Sequence, residues 1–195
     1  MSLALLDWRR SVAALYREVR ATQDPAAAHQ LWCEGRQALF SAHPESADRG
    51  AKLRVADYDP DWCFEVALAG TEPLRIEVAT ATDGVVPFER IGRAELPGLG
   101  ALDVWWLDSY GGGVWLPFRD TSPDTYGGGR YLLDTVKGAD LGGSFDPGSG
   151  SATLVVDLNF AYNPSCAYDE RWVCPLAPEG NRLAIPVPVG EQLAG

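Results

Sequence analysis

The feature that most constrains this chain is a change of hydrophobic period near residue 50. Before it, Leu5, Trp8, Val12, Leu15, Tyr16 and Val19 recur at three- and four-residue spacing, the repeat of one helix face. Arg9, Arg10, Arg17, Glu18 and Arg20 occupy much of the remainder. Asp24-Pro25 supplies an N-cap and a first-turn proline for a second helix, with Ala28, Leu31, Trp32 and Leu39 facing inward and Gly35 weakening it. His43-Pro44 ends it, because a residue before proline avoids helical geometry. The spacing predicts helices over 3–21 and 25–40 within a helical segment 1–45.

After residue 50 the period falls to two. Trp62, Phe64, Val66 and Leu68 alternate with Cys63, Glu65 and Ala67; Leu74, Ile76 and Val78 alternate with Arg75 and Glu77. Such runs are strands with one buried face. Further strands are predicted over 85–96, 101–109, 113–118, 130–136, 152–159 and 183–189. Asp83-Gly84, Pro97-Gly98, Gly111-Gly112-Gly113 and Pro147-Gly148 punctuate them as turns. Short strands at this spacing, with no helix-length pattern between them, predict a mainly β fold over 50–195: an antiparallel barrel or sandwich, not βαβ units. No linker divides the 195 residues, so one domain is expected.

The formal charge of −11, with Lys52 and Lys137 as the two lysines, disfavours nucleic acid, since phosphate neutralisation needs clustered positive charge. It disfavours an anionic membrane surface equally. Met1 to Leu6 is apolar but is interrupted by Asp7 and lacks a positive n-region. No apolar run reaches membrane-spanning length. A cytoplasmic, acidic protein with Cys33, Cys63, Cys166 and Cys174 as thiols is expected.

Two stretches are dense in residues that shape irregular backbone or make specific hydrogen bonds. The first is Phe118-Arg119-Asp120-Thr121-Ser122 followed by Thr125-Tyr126-Gly127-Gly128-Gly129-Arg130-Tyr131-Leu132. The second runs from Asp157 to Glu191 through Asn159, Ala161-Tyr162-Asn163-Pro164, Cys166, Cys174-Pro175, Pro178-Glu179 and Asn181-Arg182-Leu183. The glycine run lacks the Lys-Ser/Thr ending of a P-loop and the βαβ setting of a dinucleotide site. It reads as a tight turn at a strand entrance, or as backbone that lets a ligand approach beside Arg130. Arg119 and Arg130 suit bidentate recognition of carboxylate or phosphate; as structural residues they would pair with Asp120, Asp157 or Glu191. Seven residues separate Cys166 from Cys174, and the histidines are His29 and His43, a poor ligand set for zinc. No metal and no cofactor are expected. A nucleophilic cysteine served by His43 is a weaker alternative. Gly-x-Ser-x-Gly is absent. Trp105 and Trp106 should point to opposite faces, one of them into the core.

Together the two blocks resemble the bacterial and archaeal family called domain of unknown function 1684. His43-Pro44-Glu45-Ser46 is similar to a His-Pro-x-Ser element at the end of that family's helical start. Pro123 stands where the family pattern has glycine, and Leu158 where it has phenylalanine. The resemblance implies one β-rich domain and carries over no activity, cofactor or catalytic residue.

These observations leave two main functional expectations. In one, Arg119, Tyr126, Arg130, Asn159, Tyr162 and Asn163 converge at a barrel mouth on a small polar or anionic ligand. In the other, the same residues satisfy buried loop backbone in a structural or protein-interaction module. A cavity with convergent Arg, Tyr and Asn would favour the first; a filled interior with those groups paired would favour the second. The two blocks should lie side by side, with Arg130 paired to Asp157 first and Glu191 second.

Overall fold

The computed structural model describes residues 3–80 and 84–193. Met1, Ser2 and Asp83, with the turn expected at Asp83-Gly84, fall outside them. The helices are α1 (Leu3–Ala21) and α2 (Pro25–Ala42). Asp24 caps α2 by accepting from the Ala26 N–H at 3.0 Å, and the chain leaves α2 in extended geometry at His43. Gly35 does more than weaken α2. A Cβ there would sit 2.5 Å from a Leu15 methyl, so glycine allows the two helices to approach closely.

The strands are β1 (Arg54–Val55), β2 (Cys63–Ala69), β3 (Arg75–Ala79), β4 (Val85–Leu96), β5 (Gly100–Leu107), β6 (Val114–Phe118), β7 (Arg130–Asp134), β8 (Gly143–Asp146), β9 (Ser151–Asp157) and β10 (Glu191–Gln192). Eight of them form one antiparallel sheet in the order β7-β6-β5-β4-β2-β9-β8, with β3 also paired to β4. The sheet curls into a half-barrel, so the expected antiparallel β architecture stands in its open form. One edge of β4 is shared: Val85–Glu89 pairs with β3, and Arg93 and Ala94 pair with β2. A bulge between Arg90 and Gly92 falls at this change of neighbour and bends the strand. β1 and β10 make a separate two-stranded pair.

Alternation explains the two apolar clusters. The larger joins Tyr16, Val19 and Trp32 of the helices to Leu102, Val104, Leu116, Leu132, Val156 and Leu158. Each fully buried side chain of this size contributes about 1.5–3 kcal/mol. The smaller cluster comprises Phe88, Trp105, Trp115 and Tyr131. Trp105 is buried and Trp106 is exposed, as the alternation requires.

One strand expectation is corrected and one strand was not expected. Residues 183–189 form no strand, although their apolar residues alternate. Pro186 and Pro188 remove two of the N–H donors a ladder needs, and the alternate carbonyls go to a side chain, described below. The strand at Gly143–Asp146 is exposed along its whole length, so no buried face marks it in the sequence.

Candidate functional site

The two motif blocks meet as expected. Tyr131 and Tyr162 exchange backbone hydrogen bonds of 2.8 and 2.9 Å. The Arg119 N–H donates to the Asn181 carbonyl, and the Leu183 N–H to the Arg119 carbonyl, both at 2.9 Å. The turn between them depends on Gly129, at φ 98°. A Cβ there would lie 2.8 Å from the Phe118 carbonyl oxygen and 3.0 Å from the Ala177 Cβ. Gly129→Ala is therefore expected to destabilise by about 1–3 kcal/mol. Gly127→Ala, whose Cβ would meet nothing within 4 Å, should stay within about 0.5 kcal/mol. Urea denaturation of the pair checks this.

Arg130 is the centre of the junction, at 1% exposure. Its guanidinium donates to Asp120 Oδ2 at 2.8 Å, to the Val187 carbonyl at 2.9 Å, to the Glu191 carbonyl at 3.3 Å, and to the Val189 carbonyl. The Phe118 ring lies 5.0 Å from it. The carboxylate partner is thus Asp120, not Asp157; Glu191 is bonded through its backbone oxygen, and its carboxylate acts on Arg130 through space. The β6–β7 register pairs Phe118 with Arg130, which leaves Asp120 just beyond the strand end and within reach. Asp120 also accepts from the N–H groups of Ser122 at 2.7 Å and Val187 at 3.2 Å.

The other nominated residues fall partly around Glu191 and partly elsewhere. Asp157 and Asn159 form a knot: the Asn159 side chain donates to Asp157 Oδ1 at 2.7 Å and to the Asp59 carbonyl at 2.8 Å, and accepts from the Asp59 N–H at 2.9 Å. Burial pushes the Asp157 carboxyl up, and Asn159 opposes the shift. Asn163 donates to the buried Glu191 carboxylate, which Arg36 meets at 2.8 Å. Burial raises the Glu191 carboxyl, against the pull of Arg36. The Arg36 guanidinium in turn lies 4.8 Å from the Tyr162 ring and 4.7 Å from that of Phe40. Arg119 pairs at 2.7 Å with the exposed Glu179. Tyr126 donates its hydroxyl to Cys166 Sγ at 3.6 Å.

Arg130 and Asn163 thus share Glu191, through its carbonyl and its carboxylate, and Tyr162 packs on the Arg36 that pairs with it, whereas Arg119, Tyr126 and Asn159 have other partners. A groove of about 580 Å³ lies elsewhere, between α1 and α2, over Ala4, Asp7, Ser11, Leu15, Gly35 and Leu39, and none of the six lines it. His43 pairs with Asp7 at 3.3 Å and packs on Trp8. The Cys-His contact that does form joins Cys33 and His29, 3.8–3.9 Å apart on one face of α2. Burial pushes that thiol up to about 11, which leaves it protonated and a poor nucleophile. Among the described residues, no group of three His, Cys, Asp or Glu is placed to hold a metal, and no helix is long and apolar enough to cross a membrane.

Sequence reading missed a fully occupied amide. Asn181 accepts from the Trp105 indole N–H and donates to the Asp103 and Pro117 carbonyls, each at 2.8 Å. It also missed the buried Asp103 between Arg90, at 3.2 Å, and Arg93, at 2.9 Å. The available signal for Asp103 was an acidic residue at an inward position of an apolar strand, facing two arginines on the preceding one.

The chain is a helical hairpin on a half-barrel, with an irregular C-terminal segment held by the buried Arg130. The chain belongs to the family described as Protein of unknown function (DUF1684), whose profile matches residues 51–192. It is similar to the solution structure of an uncharacterized protein from gene locus rrnAC0354 of Haloarcula marismortui: TM-score 0.55, 28% sequence identity, covering 84% of this chain and 91% of that one. No curated protein matches it.

Proposed function

We infer that the signature blocks act as a structural clamp and that the protein is an interaction module. The observation that carries this reading is that Arg130 is buried against Asp120 and three carbonyls, and that Arg119, Tyr126, Asn159 and Asn163 each hold a partner within the protein. A binding mouth keeps polar groups unpaired and convergent for its ligand; here both Nη groups of Arg130 are spent on Asp120 and three carbonyls, while its buried Nε has no acceptor within the protein. With a formal charge of −11, neutral or basic protein surfaces fit as partners, and nucleic acid and anionic lipid do not. A cytoplasmic setting agrees with the absence, among the described residues, of a membrane-crossing helix.

Native mass spectrometry of the purified protein, with thermal melts in phosphate, citrate and succinate, tests the inference. The expected result is the bare chain mass and no ligand-dependent rise in melting temperature. A retained small molecule, or an anion-dependent rise abolished in Arg119→Ala, would replace this reading with anion binding at the block junction.

A further inference from the structure

The clamp leaves one reactive arrangement unexplained, at the outer side of the same junction. Cys166 lies on a single 3-10 turn, Ser165–Ala167. The chain then folds back, so that the Cys174 thiol comes within hydrogen-bonding reach of the Cys166 sulfur. Tyr131 holds this return by donating its hydroxyl to the Pro175 carbonyl. From the other block, the Tyr126 hydroxyl donates to Cys166 Sγ at 3.6 Å. Two thiols and a phenol from both signature blocks thus share one contact. Both cysteines are free and only partly buried.

We propose that Cys166 and Cys174 are a peroxide-reactive thiol pair, in which a hydroperoxide oxidises Cys166 and Cys174 converts the product into a disulfide closing the loop between them. In the first step the Cys166 thiolate attacks the peroxide. A sulfur–oxygen bond forms, the oxygen–oxygen bond breaks, and the alcohol or water leaves with a proton from solvent. Cys166 is then a sulfenic acid. In the second step the Cys174 sulfur attacks Cys166 Sγ. The sulfur–sulfur bond forms, the sulfur–oxygen bond breaks, and hydroxide leaves as water with the Cys174 proton. Two thiols have supplied two electrons to one peroxide.

The proton distribution suits this order. The Cys166 thiol is pulled down to about 6, first by the hydrogen bond from Cys174 and further by Tyr126, against partial burial. The same hydrogen bond holds the proton on Cys174 and raises its pKa, with burial adding to the effect and Lys137 opposing it. Tyr126 is raised by its bond to Cys166 and stays a neutral donor. Once Cys166 carries oxygen, the thiolate that held the Cys174 proton is gone, and Cys174 is released to act. Cys63, the most exposed thiol, is instead pushed up to about 11 by burial and by Asp157. Reactivity follows thiolate character, so exposure and reactivity point to different cysteines here.

The test treats the reduced, full chain with an equimolar amount of hydrogen peroxide and maps the products by mass spectrometry. The expected product is lighter by two hydrogens, carries a Cys166–Cys174 bridge, and is restored by dithiothreitol. Cys174→Ser should instead accumulate a dimedone-trapped sulfenic acid at Cys166. Cys166→Ser should react about tenfold more slowly or worse, and Tyr126→Phe should be slowed by a smaller factor. Iodoacetamide labelling of the unmodified chain should titrate at Cys166 with a midpoint near 6. Oxidation that falls first on Cys63, or a Cys166 labelling midpoint in the ordinary thiol range, overturns the proposal. The labelling arm needs no variant, so a substitution that fails to fold does not remove the test.

Discussion

Replacing Arg130 with alanine is expected to cost the fold about 3–5 kcal/mol, the range for breaking a buried ion pair by removing one partner. Asp120 would be left as a buried carboxylate with two backbone donors, and the carbonyls of Val187, Val189 and Glu191 would lose their shared donor. In a protein of this size, about 2–4 °C of melting temperature accompanies each kcal/mol, so the variant should melt on the order of 10 °C lower. Arg119→Ala is the control. Its partner Glu179 is 82% exposed, and pairs of that kind contribute about 0–1 kcal/mol. Arg130→Lys should fall between the two, because a single ammonium cannot span Asp120 and three carbonyls as a planar fork does. Calorimetric or fluorescence melts of the three variants check the series; equal melting of Arg130→Ala and Arg119→Ala would remove the clamp from the account of the fold.

Asn181→Ala should have a comparable effect through hydrogen bonds alone. The side chain is completely buried and satisfies three groups: the Trp105 indole N–H and the Asp103 and Pro117 carbonyls. Each buried polar group left unpaired costs about 1–3 kcal/mol. A total near 4 kcal/mol is expected after partial relaxation, since one methyl group cannot fill the amide's place. Urea denaturation followed by tryptophan fluorescence should show a lower midpoint at unchanged slope. A loss under about 1 kcal/mol would mean that water enters freely and that the loop Glu179–Asn181 is not sealed over β5.

Local pattern carried the elements whose burial is one-sided. The α1 face, the Asp24-Pro25 start of α2, and the alternation of β2 to β5 were legible because each buried stripe has its own period. Exposed β8 had no stripe to read. The 183–189 segment had a strand's alternation, but Pro186 and Pro188 carried the contrary message and were the better guide. Asp120, Asp157 and Glu191 were all open as partners of Arg130, and the hairpin brings the first of them closest. Consecutive antiparallel strands ending at Phe118 and starting at Arg130 bring Asp120, two residues past the strand end, within reach of Arg130. The scattered positions of Arg119, Tyr126, Asn159 and Asn163 were not legible, since they follow from where long loops cross the sheet rather than from spacing along the chain.

The arginine clamp also orders events during synthesis. Arg130 and Asp120 leave the ribosome long before Val187, Val189 and Glu191, so a charged side chain of the interior must wait in water for acceptors that do not yet exist. The helical hairpin is in the same position, because Arg36 of α2 is held by Glu191. Neither end of the chain can finish packing until the strap between Leu183 and Gln192 has been translated and threaded under the guanidinium. Until the strap is in place these contacts are missing, and that is the interval in which exposed apolar surface most needs protection from aggregation.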